Sequence, residues 1–397
     1  MSAERARELE RRYAMPTYLR SGIEFVRGEG SWLWDSHGRE YLDFFSGLAV
    51  HNFGHANPRI VDAIRDQVGA FMGSSNLFLS EPAMELSRRL AESSLGGRVF
   101  LCNTGTEASE CAIKLVRKHA HLRGIDEPVV VTLDGAFHGR TLGALAATPK
   151  LAREDFFGPL PRGFLAVGRD DPAGLDAAVG EGTAAVMIEP IQGEAGIFPI
   201  SEEVLQAARS ACDRTGALLV FDEVQSGVGR TGSLWAHQAT AVRPDVMTSA
   251  KALGGGLPVG AVVARPEYGE VLQPGDHGST FAGGPVAARA ALEALAMASD
   301  PELLAAVRER GAALADGLAA DPRVVDVRAR GLMAGITLTE GIDAARVRDA
   351  ALELGLVTNV PGASMLRFLP PLTLSDGELD DGLGRLSAAL DQVAGER

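Results

Sequence analysis

The alternation of apolar and polar positions changes character along the chain. From about residue 56 onward, short apolar runs alternate with stretches of helical periodicity. The runs RVFLCN (98–103), PVVVTLD (128–134), AAVMIEP (184–190), ALLVFDE (217–223), DVMTSA (245–250) and PVGAVVA (258–264) are strand-length and largely unbroken by polar residues. That is the pattern of inner strands buried on both faces of a sheet. Helical stretches fall between several of them, including 106–122 and 202–215. Such alternation predicts βαβ units and a mostly parallel sheet with helices on both faces.

The two ends read differently. RGEGSWLWDSHGREYLDFFSG (27–47) places aromatic-rich stretches around the turn-rich DSHG and predicts a small β-meander. From about 285 the chain is Ala- and Leu-rich helix, followed by RVVDVRARGLMAGITL (323–338), a helix near 343–354, and apolar LVTNV and MLRFLP. This α+β tail is expected to pair with the amino-terminal strands. The predicted layout is therefore α/β, with residues 51–285 as a large domain and 1–50 plus 286–397 as a small one.

Composition narrows the class. A hydrophobic content of 46% with 23% charge is that of a soluble globular protein. No run approaches the roughly 18 to 20 apolar residues that span a bilayer. The amino-terminal MSAERARELERRYAM is charged and lacks the apolar core of a secretory signal. A net charge of −14 argues against a general nucleic-acid or anionic-membrane surface. Cys102, Cys111 and Cys212 form no CxxC pair, so neither a disulfide framework nor a zinc site is signalled. The expectation is a cytoplasmic protein without a bound metal.

The candidate chemistry lies where strands end. ALLVFDE closes a buried strand on Asp222 and Glu223, which point to opposite faces of the sheet. Open α/β sheets bind ligands just outside the carboxyl ends of their strands, so a carboxylate there can face a ligand, for example a protonated ring nitrogen. In CNTGTEASE (102–110), Gly105 allows a tight turn and Thr106 is placed to cap a helix beginning near Glu107, a start whose free N–H groups suit a phosphate. GAFHGRT (135–141) offers Phe137 to stack on a planar ligand and Arg140 to bind a carboxylate. His138 has no second ligand at metal spacing. Lys251 sits between an apolar strand and three glycines, where an amine can form a Schiff base with a carbonyl. HGSTFAGG (277–284) is a further loop of phosphate-donor type.

Each motif alone also has a structural reading, as a cap, a loop, a salt-bridged acid or a snorkelling lysine. Together they are the parts needed to hold pyridoxal 5'-phosphate: a phosphate cradle, an aromatic stacker, an acid for the ring nitrogen and a carbonyl-capturing lysine.

With those residues in place, the sequence resembles the class III pyridoxal-phosphate aminotransferases, and within them the branch acting on acetylornithine. The likeness runs from RGEGSWLWD near residue 27 to RFLPPLTL ending at 374. Its densest matches are FDEVQSGVGRTG with TSAKALGGGLP, supported by SNLF (75–78), EPIQGEAG (189–196) and AFHGRT. The resemblance implies the fold type I architecture and a homodimer with shared sites. It implies Lys251 as the cofactor-bound lysine and proton shuttle, Gly105 and Thr106 at the phosphate, and Phe137 on the ring. Asp222 would pair with the pyridinium and Gln225 with the ring hydroxyl, with Glu223 and Val224 as adjoining cofactor contacts. Thr280 would reach the phosphate of the neighbouring subunit's cofactor.

On the substrate side it implies that Arg140 and Ser279 bind the acetylornithine carboxylate region and that Arg367 takes the α-carboxylate of glutamate. Glu194 resembles a gate that pairs with this arginine and releases it for glutamate. The sequence departs from the family pattern at Thr104 and Ser109 in NTGTEASE, at Gly284 in AGGP and at Asn57 in GHANP. None of these replaces Lys251 or Asp222. Related readings are an ω-aminotransferase for succinyldiaminopimelate, succinylornithine, ornithine or 4-aminobutyrate, and the glutamate-semialdehyde aminomutase branch. Glu194 and the VQSGVGRTG continuation weigh against the second.

Overall fold

Seven strands make the central sheet of the computed structural model, which describes residues 3–152 and 155–395. Met1, Ser2, Glu396 and Arg397, the outermost residues of the expected terminal segments, lie outside the described residues. Across the sheet the strands are Arg98–Cys102, Gly260–Ala264, Val246–Ser249, Leu218–Asp222, Thr183–Ile188, Val129–Leu133 and Phe164–Val167. Gly260–Ala264 runs antiparallel to both its neighbours, and the other pairings are parallel. All six strands expected from the apolar runs are present. The half-exposed edge strand Phe164–Val167 is an addition.

Helix Gly105–Leu122 covers one face of the sheet through Ala108, Cys111, Ala112 and Leu115. Helices Pro172–Ala178 and Glu202–Thr215 cover the other through Leu175, Val204, Leu205 and Ala208. With apolar layers on both faces, the strands can be apolar throughout. Their polar residues are pushed to the carboxyl ends, where Asn103, Glu189, Asp222 and Lys251 follow or close four of them.

Two smaller sheets join the chain ends. Phe25–Glu29, Trp32–Asp35 and Glu40–Asp43 form the expected meander, extended by Leu356–Val357 in parallel register with Leu42 and Asp43. The rest of the tail does not add to this sheet. Val324–Arg330, Met333–Leu338, Met365–Phe368 and Asn359–Gly362 make a separate antiparallel sheet. Backbone bonds tie the two ends together: Leu369 N–H donates to Phe44 O and Leu372 N–H to Asn52 O, each at 2.7 Å. Buried Arg230 joins the central region to both, donating to Asn52 Oδ1 and, at 2.9 Å, to Leu332 O. The strand carrying Arg367 is thereby held against the carboxyl edge of the central sheet.

Candidate active site

Lys251 enters the site through a strained turn. It follows strand Val246–Ser249 with φ of +48°, a left-handed conformation costly for a residue bearing a Cβ. The turn aims its amine into a cavity of about 240 Å3 at the carboxyl edge of the sheet. Burial pulls the lysine pKa below its ordinary value; Glu194 counters this, Arg367 reinforces it, and the net direction is down.

Asp222 closes strand Leu218–Asp222 and opens on the same cavity. Its Oδ1 accepts Thr248 Oγ1 at 3.0 Å and Val224 N–H at 3.1 Å, and its Oδ2 meets His138 Nδ1 at 2.8 Å. Burial alone would strip the proton from His138, but the hydrogen bond and charge of Asp222 outweigh it and the pKa is raised. Glu223 turns to the opposite side, as strand alternation requires. Its carboxylate accepts the N–H groups of Ala236 and His237 and meets His237 Nδ1 at 2.7 Å. The expectation of Glu223 as a cofactor contact is corrected on this point: its side chain is fully buried behind the strand and does not line the cavity.

The helix start is also revised. Thr104, not Thr106, caps helix Gly105–Leu122: its hydroxyl accepts Glu107 N–H at 3.2 Å, and the Glu107 carboxylate accepts Thr104 N–H at 3.1 Å. Threonine and glutamate three residues apart satisfy two orphan donors reciprocally, which moves the helix start two residues earlier. Thr106 Oγ1 instead accepts the N–H groups of Arg140 and Thr141 at 3.1 and 3.2 Å, lashing the Phe137 loop to the helix. Only glycine fits at 139, where a Cβ would stand 2.3 Å from that hydroxyl.

Nine of the expected residues line this one cavity: Gly105, Thr106, Phe137, Arg140, Glu194, Asp222, Val224, Gln225 and Lys251. Arg367 lies just behind its wall, 1% exposed, with Nη1 donating to Glu194 Oε1 at 2.7 Å. Burial would raise the Glu194 pKa, but the charge and hydrogen bond of Arg367 prevail and lower it. Ser279 and Thr280 are elsewhere, in a surface hollow formed with residues 73–77 and Phe281. Asn76 and Asn103 hold Ser279 by side-chain bonds of 2.9 and 3.0 Å.

Three cavity residues, His138, Gly139 and Glu189, are not among those expected, and two of them carry ionisable side chains. The partner of His138 is 84 positions away, so local spacing could not reveal it. Glu189 carries the same signal as Asp222, a carboxylate ending an apolar run. Both its oxygens accept backbone N–H groups, from Phe137 at 2.8 Å and Gly193 at 3.3 Å. Burial, with Asp222 adding to it, pushes its pKa up to about 7.

The cavity presents incomplete hydrogen bonding to a ligand. His138 Nε2 and Gln225 Oε1 are buried without partners. The amides of the first helical turn at Gly105 and Thr106 have no intrahelical acceptor and favour an anion. An aromatic ring, a buried carboxylate and an amine of lowered pKa complete a donor set that fits a phosphorylated, nitrogen-bearing aromatic aldehyde.

Comparison with known proteins places this geometry in a family. The Aminotransferase class-III family matches residues 15–390, and the chain belongs to it. Members of the class depend on pyridoxal phosphate and move an amino group from an amino donor to a keto acid. Acetylornithine aminotransferase of Xylella fastidiosa (strain Temecula1) is 46% identical over 390 residues, spanning 96% of this chain and 95% of that protein. Its counterpart in Streptomyces coelicolor is 46% identical over 398 residues, 99% and 97% of the two chains. Among solved structures, N-acetylornithine aminotransferase from Stenotrophomonas maltophilia aligns with TM-score 0.86 at 38% identity, covering 98% of this chain and 100% of that one. Ornithine aminotransferase from Toxoplasma gondii aligns at 0.95 and 32% identity, covering 100% and 97%.

Proposed function

We propose that this enzyme moves the terminal amino group of N2-acetylornithine to 2-oxoglutarate, giving N-acetylglutamate 5-semialdehyde and glutamate, as a step of arginine biosynthesis in the cytoplasm. The observation carrying this reading is the 2.7 Å pair between Arg367, behind the cavity wall, and Glu194, which lines the cavity together with Lys251. One pocket must accept a terminal amine with no carboxylate beside it, then an α-amino acid that has one. With Glu194 on Arg367 the wall is neutralised and suits the first; with Glu194 withdrawn, Arg367 is free for a bidentate carboxylate.

Pyridoxal phosphate, when bound, supplies the carbonyl that takes up the amino group and the ring that receives the electrons released at the reacting carbon. The chain's own residues hold it and move protons. Gly105 and Thr106 offer backbone amides to the phosphate, and the partner subunit's copy of the 279–280 loop would add to them. Phe137 covers one ring face, and Gln225 offers its unpaired Oε1 to the ring hydroxyl. Asp222, held by three donors, holds the ring-nitrogen proton. Lys251 Nζ, with its lowered pKa, moves a proton to and from the substrate carbon. Arg140, exposed at the rim, and Ser279 take the carboxylate end of the acylated donor.

The large domain, 51–285, contributes the cofactor contacts, and the small one, 1–50 with 286–397, contributes Arg367. A homodimer is part of the proposal, supported by the placement of Ser279 and Thr280 outside the chain's own cavity beside exposed Leu77, Phe78 and Phe281. The test is to mix the holoenzyme with single amines and follow the cofactor's absorbance. N-acetylornithine should react with the largest rate per concentration among itself, ornithine, succinyldiaminopimelate and 4-aminobutyrate. Another amine winning by more than about tenfold, roughly 1.4 kcal/mol of transition-state preference, would overturn the substrate while leaving the class standing.

A further inference from the structure

Glu189 connects two loops, which Gln192 also joins by donating from Nε2 to Asp134 O at 3.0 Å. Glu189 Oε1 holds the N–H of Phe137, and its Oε2 holds the N–H of Gly193, the residue before Glu194. Gly193 is gripped from the other side as well. Its carbonyl accepts Arg367 Nη1 at 2.9 Å, the same nitrogen that reaches Glu194 Oε1 at 2.7 Å. Gln225 closes the third side, since a Cβ at 193 would lie 1.9 Å from its Oε1. The peptide at Gly193 is thus the pivot of the Glu194–Arg367 pair, and Glu189 is the side chain that fixes its N–H. A buried N–H left without an acceptor is destabilised, which favours a loop position that gives it one.

We propose that Glu189 is a positioning residue of the gate: by fixing Gly193 it sets how readily Glu194 leaves Arg367, and so the enzyme's balance between neutral ω-amines and glutamate. The inference rests on the reading of Glu194 and Arg367 given above. Glu189→Gln keeps one acceptor oxygen and turns an NH2 group toward the other amide, which frees the pivot while conserving volume. Freed, the loop withdraws Glu194 from Arg367 more easily. Glutamate then gains an open arginine, while the neutral amine meets an uncompensated positive charge.

The experiment is a double-mutant cycle on the holoenzyme with wild type, Glu189→Gln, Glu194→Ala and the combined variant. For each, kcat/KM is measured with glutamate and with the neutral ω-amine that the wild type uses fastest, whichever that proves to be. Glu189→Gln should raise the glutamate-to-amine ratio at least fivefold, more through KM than kcat, and should change it less than twofold when Glu194 is already alanine. An unchanged ratio in Glu189→Gln, or an equal change with and without Glu194, overturns the proposal; loss of both substrates in parallel does so too, because it marks a merely structural residue. Glu189→Asp, which can reach only one of the two amides, serves the same test if Glu189→Gln fails to fold. If Glu194→Ala alone leaves the ratio unchanged, the gate reading itself fails and this inference falls with it, separately from the choice of amine.

Discussion

His138 Nδ1 stands 2.8 Å from Asp222 Oδ2, with both side chains buried and the imidazole's Nε2 facing no protein partner. Both residues line the cavity, so a charge brought up to Asp222 is also felt by the imidazole bonded to it. Thr248 and Val224 N–H hold the remaining oxygen, which prevents the carboxylate from turning away.

Asp222→Asn should therefore keep the shape of the site and lose its charge. An amide cannot both accept from His138 and hold a ring proton. Turnover is expected to drop on the order of 10²–10³-fold, the size seen when one preorganised electrostatic partner is removed. Steady-state rates alongside cofactor titration check it; wild-type turnover in the asparagine variant would remove Asp222 from the mechanism.

Lys251→Ala should leave the phosphate cradle and Phe137 in place while removing the one amine of lowered pKa in the cavity. Turnover is expected to fall by at least about 10³-fold, with partial recovery on adding a small primary amine as a replacement proton carrier. Retained turnover without added amine would reassign the proton transfer.

Much of this was legible in the sequence because a sheet covered on both faces demands apolar strands. ALLVFDE stands out for that reason, and the strand observed is Leu218–Asp222. Phe164–Val167 has no such signature, because an edge strand is half exposed and its pattern resembles a loop. Glu223, a cofactor contact only by family resemblance, has its side chain on the face opposite Asp222, where strand alternation alone puts it. The partnership of His138 with Asp222, and the two-loop grip of Glu189, depend on tertiary approach and have no local periodicity to betray them.

Gly193→Ala places a methyl group where Gln225 Oε1 now sits, 1.9 Å from the added carbon. Gln225 must move, and with it the weak 3.5 Å contact from its Nε2 to Glu194. The fold should survive with a loss of about 1–3 kcal/mol, typical of overpacking. Cofactor retention should weaken, as read by dialysis against buffer without cofactor; unchanged retention would show that Gln225 takes no part in holding the ring.

Glu189 gives stability a pH dependence opposite to that of a salt-bridged acid. Its folded pKa of about 7 lies above the ordinary 4.5, so the folded chain binds this proton more tightly than the unfolded one. The contribution is complete below about pH 4.5 and is lost as pH rises toward and through 7, a change on the order of 3 kcal/mol. Denaturant midpoints of the cofactor-free wild type and Glu189→Gln, compared at pH 5 and pH 8, should shift against the wild type at the higher pH. A constant difference would place the proton elsewhere.

The joining of the two chain ends also bears on how the protein is made. Leu42 pairs with Leu356, and Asn52 O receives Leu372 N–H, so the meander, whose own three strands pair with one another, finds its fourth strand only after the whole central sheet has been synthesised. Until then the meander has an open edge that invites pairing with other chains. Arg367, to which the proposal above gives the choice between substrates, also follows the central sheet in the chain. The residues that line the cavity, from Gly105 to Lys251, are thus all made before the arginine that stands behind its wall.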